Sequence, residues 1–256
     1  MSDINSYAAE GYAAAAGTYA KGRPNYPPEV AAWLRNDLGL GTGETALDLG
    51  AGTGKFLPHL RATGATAIAV EPVEQMRGQL MADHPGVDVR EGSAERIPLE
   101  DGAADAVVCA QSFHWFATKA ALAEIRRVLR PDGMLGLIWN VRDESVPWVA
   151  ELTAIMTPYE GAAPRYRTLA WREPFPADGF GPLAERRFPH GHTGAPDDVI
   201  VDRILSVSFI AALPSGDRDQ VRAQLHGLID ATPSLAGKSQ VTFPYVTTAY
   251  HCRKGG

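Results

Sequence analysis

Ala46-Leu47-Asp48-Leu49-Gly50-Ala51-Gly52-Thr53-Gly54-Lys55-Phe56 is an apolar run that breaks into a glycine-rich turn, and the next apolar run, 65–70, ends at an acid, Glu71. A buried strand, a glycine turn and a second strand ending in a carboxylate form the nucleotide-holding half of a doubly wound α/β sheet. Dinucleotide loops of the form G-x-G-x-x-G press backbone N–H groups against a pyrophosphate. Here the third glycine falls one place early, Lys55 stands in its position, and Asp48 precedes the loop. A carboxylate there repels a pyrophosphate but receives an ammonium group, directly or through water.

Working outward, strand and helix signals alternate. Strands are expected over 45–49, 65–70, 87–91, 105–110 and 134–139, with helices over 54–62, 73–83 and 119–129. Such alternation with short connections predicts a parallel sheet covered by helices on both faces. Upstream, 7–14 reads as a helix, 19–27 as an ordered loop, and 28–34 as a helix opened by Pro28. The pattern lapses over 140–181, which carries Trp148, Tyr159, Tyr166, Trp171, Phe175 and Phe180. That stretch reads either as an aromatic lid or as an insertion with its own small core. Beyond it, 185–192 reads as a strand, 196–211 and 214–232 as helices, and 241–252 as a last strand. Pro244 implies an edge or a bulge in that strand.

The 256 residues suit a single domain, 1–256, with a lid segment over 1–28, a binding core over 29–140, the insertion over 141–181 and the rest of the sheet over 182–256. A formal net charge of −6 without a basic stripe argues against nucleic acid as partner. The basic cluster Arg126-Arg127-Val128-Leu129-Arg130 reads as the last turn of a helix, favoured by its dipole. Cys109 and Cys252 make neither a disulfide framework nor a metal set, and His190 with His192 lacks identifiable partners, so no metal is expected. The polar start Met1-Ser2-Asp3-Ile4-Asn5 and the lack of a long apolar run predict a cytoplasmic protein with no membrane contact.

The glycine loop with Asp48 resembles motif I of class I S-adenosylmethionine (SAM) dependent methyltransferases. Three further pieces fall in register with it: Glu71, the 93–95 loop of Ser93, Ala94 and Glu95, and the run from Asp105 to Trp115. The ending Ala110-Gln111-Ser112-Phe113-His114-Trp115-Phe116 is similar to the type-11 group that includes trans-aconitate and related small-molecule O-methyltransferases. The segments Tyr19 to Pro27, Trp139-Asn140 and Pro244 to Tyr250 also look like that group. The resemblance covers nearly the whole chain. It implies a Rossmann-like sheet of seven strands in the order 3-2-1-4-5-7-6, strand seven antiparallel, with helical and loop lid insertions.

The resemblance also implies SAM as cofactor. Gly50, Ala51 and Gly52 let the backbone approach it, Asp48 meets its amino-acid end, and Glu71, followed by Pro72, accepts a ribose diol. Ser93, Ala94 and Glu95 cover the adenine, Tyr19 and Arg23 close over the amino-acid end, and Gln111 faces the cofactor. The acceptor is expected to be a small molecule, an oxygen of a carboxylate or hydroxyl before a nitrogen or carbon, in a pocket of Trp115, Trp139, Asn140 and Trp171. Transfer depends mainly on alignment. His114 is the candidate base, since imidazole titrates near neutrality, and a role in shaping the pocket stands beside that one. The chain lacks the N/D-P-P-Y/F grip of nucleic-acid amino methylation and a Pro-Cys nucleophile. A non-catalytic SAM-binding protein and an NAD-dependent dehydrogenase are the alternatives, and the assembly is expected to be a monomer or homodimer.

Overall fold

Strand β1 (Thr45–Leu49) is the third strand of a sheet ordered β3-β2-β1-β4-β5-β7-β6. The computed structural model describes residues 24–161 and 164–255. The expected helix over 7–14, most of the 19–27 loop, Tyr19 and Arg23 lie outside the described residues. β2 (Thr66–Val70), β3 (Asp88–Arg90), β4 (Ala104–Ala110) and β5 (Leu129–Arg142) continue the sheet on either side of β1. The ladders β1–β2, β1–β4, β2–β3 and β4–β5 are all parallel. In β1 and β4 nearly every residue is buried, as expected of strands covered on both faces. The order reverses beside β1, between β1 and β4, where an open α/β sheet leaves a crevice at its carboxyl edge.

The connecting helices are α1 (Val30–Asn36), α2 (Leu57–Arg61), α3 (Glu74–Asp83) and α4 (Lys119–Val128). α4 buries Ala121, Leu122, Ile125 and Val128, spaced along one helical face, and the Thr118 hydroxyl caps it by accepting from Ala121 N at 3.1 Å. Such a cap contributes about 1 kcal/mol. α2 is shorter than the helix expected over 54–62. Gly54 adopts φ +82° and its N–H bonds to Ala51 O, so the glycine turn persists before the helix begins.

β5 is longer than the expected 134–139. Leu129 pairs with Ala104 and Met134 with Ala106, and the residues between bulge out through Asp132 at φ +64°. A Pro-Asp-Gly sequence reads as a loop, yet Arg130 holds Asp105 at 2.8 Å and keeps the bulge in the ladder.

β6 (Ala184–Gly194) and β7 (Val241–Arg253) complete the sheet, with β7 interior between β5 and β6. Lys254 N bonds to Gly133 O and Asp143 N to Pro244 O, so β7 descends as β5 ascends and the two are antiparallel. The interior position corrects the edge location, one of the two alternatives expected from Pro244. Its carbonyl bonds to Asp143, one residue past the end of β5, so the missing N–H falls at the rim of that ladder.

The described residues fall into two compact units, one of 26–139, 164–188 and 247–255, the other of 24–25, 140–161 and 189–246. The stretch expected to be a single insertion is thus divided. The second unit contains α5 (Pro147–Met156) and α6 (Ser215–Ala231) around a core that includes Trp148, Leu152, Ile200, Ile204, Leu225 and Phe243. The helix expected over 196–211 is broken into segments 197–202, 203–205 and 208–211. The Ser206 hydroxyl donates to Arg203 O at 2.8 Å and Val207 is extended, which ends the helical ladder there.

Candidate cofactor and acceptor site

Asp48 sits in β1, an interior strand, with Ala69 of β2 and Val108 of β4 as its ladder partners. Apolar neighbours on both sides leave its carboxylate wholly buried, and neither oxygen has a hydrogen-bond partner among the described residues. Burial, and after it the charge of Glu71, pushes its pKa up to about 8. In the ligand-free chain this acid therefore carries a proton at neutral pH.

Glu71, at the end of β2, is buried but well satisfied. One oxygen accepts from Gly52 N at 2.8 Å and the other from Val73 N at 3.0 Å. Burial raises its pKa, and the Val73 and Gly52 N–H groups and Arg77 act against that rise. Arg77 donates to the carbonyls of Glu71 and Pro72 and pairs with Glu91 at 2.8 Å, fixing the corner that carries Pro72. This arginine escaped the sequence reading, since nothing in its spacing marks it.

The glycine loop folds back over β2, with Gly50 N and Ala51 N both donating to Val70 O. Gly50 adopts φ +70°, and a Cβ there would come within 2.8 Å of the Ser112 side chain. The loop thus abuts the turn after β4. There the Ser112 hydroxyl donates to Leu49 O at 2.8 Å, a buried tie between the two strand ends. Ser112 is the second residue that sequence missed, because its partner is a backbone atom distant along the chain. Gln111, just before it, is a non-glycine residue at φ +60°, with its N–H on Ile138 O. Strain of this kind, about 1–3 kcal/mol, gathers at functional sites.

After β3, Ser93 and Arg96 exchange backbone hydrogen bonds across a tight turn, with Ala94 buried and Glu95 exposed. Glu124 and Arg127 of α4 hold the chain that follows. Glu124 accepts from Ile97 N, and Arg127 donates to Ile97 O and Leu99 O. Arg127 of the basic cluster thus grips loop carbonyls as well as ending a helix.

His114 lies on the short helical turn Phe113–Trp115 and accepts at Nδ1 from Trp139 Nε1, 3.1 Å away. Trp115 is partly buried, its ring 5.1 Å from that of His114. Trp139 and Trp171 are each 1 % exposed and face each other at 4.7 Å, with Tyr166 and Tyr250 against them. Arg172 lies over the Trp171 and Tyr250 rings. Trp139 and Trp171 are therefore interior members of an aromatic cluster. Asn140, in the other unit, donates to the carbonyls of Pro24 and Asn25. Cys109 is buried on β4 with its thiol pKa raised by burial, and burial pushes that of Cys252 up to about 12, so both stay protonated at neutral pH.

The residues fit SAM on the chemistry of their donors and acceptors. The orphaned Asp48 carboxylate lacks the cationic partner that an ammonium group supplies, and each Glu71 oxygen keeps a lone pair beyond its backbone bond.

Comparison with known proteins agrees. The profile of the "Methyltransferase domain" family matches residues 47–137. An uncharacterized methyltransferase-like protein of Schizosaccharomyces pombe is 38 % identical over 237 residues, 92 % of each chain. An uncharacterized methyltransferase of Mycobacterium tuberculosis is 36 % identical over 236 residues, again 92 % of each. The crystal structure of a putative methyltransferase from an antibiotic biosynthesis pathway of Anabaena variabilis superposes with a TM-score of 0.61 at 19 % identity, covering 90 % of this chain and 98 % of that one. That likeness shows the fold, and the two relatives show the family. The chain belongs to the class I SAM-dependent methyltransferases.

Proposed function

We propose that the protein transfers the methyl group of SAM to an oxygen, carboxylate or hydroxyl, of a small-molecule acceptor, acting as a monomer or homodimer in the cytoplasm. The observation that carries the reading is the buried Asp48 carboxylate, without a partner among the described residues, set at the mouth of the Gly50–Gly52 turn and followed on the next strand by Glu71. Bound SAM supplies an activated methyl group with its own leaving group, which leaves the protein to align acceptor and methyl carbon. In this reading Asp48 receives the ammonium group, Glu71 the ribose diol, the 93–95 turn the adenine, and Gln111 borders the cofactor. Tyr19 and Arg23 are assigned to the amino-acid end by resemblance alone. His114 handles the acceptor, beside Trp115.

A small acceptor accords with the net charge of −6, and no helix among the described residues is long and apolar enough to cross a membrane. The test is calorimetric titration with SAM and with NADH, followed by mass-spectrometric detection of S-adenosylhomocysteine in the presence of small acids, alcohols and amines. SAM binding with turnover of an oxygen acceptor is the expected result. Binding of NADH without SAM would overturn the reading, and SAM binding without any turnover would assign a sensor role instead.

A further inference from the structure

We infer that Arg77 is a positioning residue for the cofactor's ribose, orienting the Glu71 carboxylate through the backbone that follows it; this rests on the assignment of Glu71 to the ribose diol made above. Arg77 lies near the start of α3, where the positive end of the helix dipole opposes a cation. Its guanidinium nevertheless reaches back past the helix start to oxygen acceptors. Nη1 donates to Glu71 O at 3.0 Å and to Pro72 O at 2.6 Å, and Nη2 donates to Glu91 Oε2 at 2.8 Å.

One of those carbonyls reports directly on the carboxylate. The Pro72 C=O and the Val73 N–H belong to a single planar peptide unit and point to opposite sides of it. Val73 N donates to Glu71 Oε1 at 3.0 Å. The guanidinium therefore grips the far side of the peptide whose near side holds the acid. A cation on the carbonyl also polarises that peptide and strengthens the N–H opposite. The second carboxylate oxygen, Oε2, accepts from Gly52 N at 2.8 Å, so the acid that Arg77 orients is also a brace for the glycine loop.

The carbonyl bonds outweigh the ion pair. The Arg77 side chain is 14 % exposed and that of Glu91 is 76 % exposed, and a salt bridge so open to water contributes little. Val73, at the cap of α3, brings no polar side chain to fix this corner, and Arg77 does so from within the helix. A diol held by both oxygens of one carboxylate needs that carboxylate in a set plane, so a small rotation of Glu71 weakens two bonds at once. Arg77 touches no part of the cofactor in this scheme and acts on the ribose only through Glu71.

Calorimetric titration of the full chain with S-adenosylhomocysteine tests this in the unmodified protein, Arg77→Gln, Glu71→Gln and the double variant. Arg77→Gln should weaken binding about tenfold. In the Glu71→Gln background the same change should weaken it less than about twofold, because the group that Arg77 positions is already altered. An analogue of the ligand lacking both ribose hydroxyls should likewise bind the unmodified chain and Arg77→Gln within about twofold of each other. Glu91→Gln should stay within about twofold of the unmodified chain.

Equal losses from Arg77→Gln in both backgrounds, or equal losses for the two ligands, would make the arginine a general support of the fold and overturn the inference. Full affinity in Arg77→Gln, or a loss in Glu91→Gln as large as in Arg77→Gln, would overturn it as well. Unchanged affinity in Glu71→Gln strikes elsewhere: it would remove the ribose assignment on which the inference rests. If Arg77→Gln fails to fold, Arg77→Lys takes its place in the cycle. Dependence of its loss on Glu71 then supports the inference, and independence overturns it.

Discussion

The region around the glycine loop and the helical region of α5, 197–211 and α6 bury their residues for opposite ends. The first places two acids, Asp48 and Glu71, almost wholly inside the protein, one of them without a partner among the described residues. The second encloses a core of Trp148, Val149, Leu152, Ile200, Ile204, Leu225, Phe243 and their neighbours. Burying an unpaired acid works against folding, and burying hydrocarbon drives it. A site that keeps an orphan carboxylate is using stability supplied by cores elsewhere to stay ready for a charged ligand.

The contrast breaks most sharply at Phe243, which is fully buried with Trp148 at 5.1 Å and Tyr245 at 4.7 Å. Phe243→Ala should cost about 3–5 kcal/mol in urea unfolding while the folded fraction binds SAM with unchanged affinity. A fall in affinity at full folding would erase the division of labour. Glu71→Ala should do the reverse, lowering SAM affinity about 10–100-fold by calorimetry through loss of bonds worth about 1–3 kcal/mol. Some stability goes as well, because Gly52 N and Val73 N lose their acceptor.

Gly50→Ala tests the contact between loop and turn. With φ at +70° and Ser112 Cβ 2.8 Å from the new methyl, it should destabilise the chain by about 1–3 kcal/mol, measured by thermal unfolding, and weaken SAM binding with it.

The most diagnostic effect is a dependence on pH. Asp48 has its pKa raised from 3.8 to about 8, so the fold holds a proton that the unfolded chain releases. Its contribution to ligand-free stability is greatest below 3.8 and declines as the pH climbs toward about 8. Asp48→Asn should therefore raise the Tm at neutral and mildly alkaline pH, with the gain vanishing toward acid, while weakening SAM binding about tenfold or more. In the unmodified chain SAM affinity should rise with pH until about 8 and then level off, because the ammonium partner favours the ionised acid. A flat profile would remove Asp48 from the binding reaction.

The first region was far more legible in sequence than the second, for physical reasons. β1, β2 and β4 read directly because strands covered on both faces are continuous apolar runs, and the glycines of the loop are demanded by positive φ at Gly50, Gly52 and Gly54. Asp48 and Glu71 were readable as acids at strand ends; that one is orphaned and the other satisfied by Gly52 N was not, since this depends on which backbone donors the fold brings near. The Ser112 tie and the Trp139–His114 bond are long-range pairings with no local signal, and Arg77 reaches back to the carbonyls of Glu71 and Pro72 without a motif to mark it. In the second region the break at Ser206 turns on a side chain competing for a carbonyl, and the tolerance of Pro244 turns on where β5 happens to stop. Periodicity reports neither.

The aromatic cluster has an optical consequence. Trp139 and Trp171, two of the five tryptophans, hold their rings 4.7 Å apart at 35°, close enough for their electronic transitions to couple. The native chain should show an exciton couplet in its circular dichroism that vanishes when this cluster opens. Trp139 also grips His114, so that band is a built-in gauge of the turn that bears His114, readable without label, ligand or turnover.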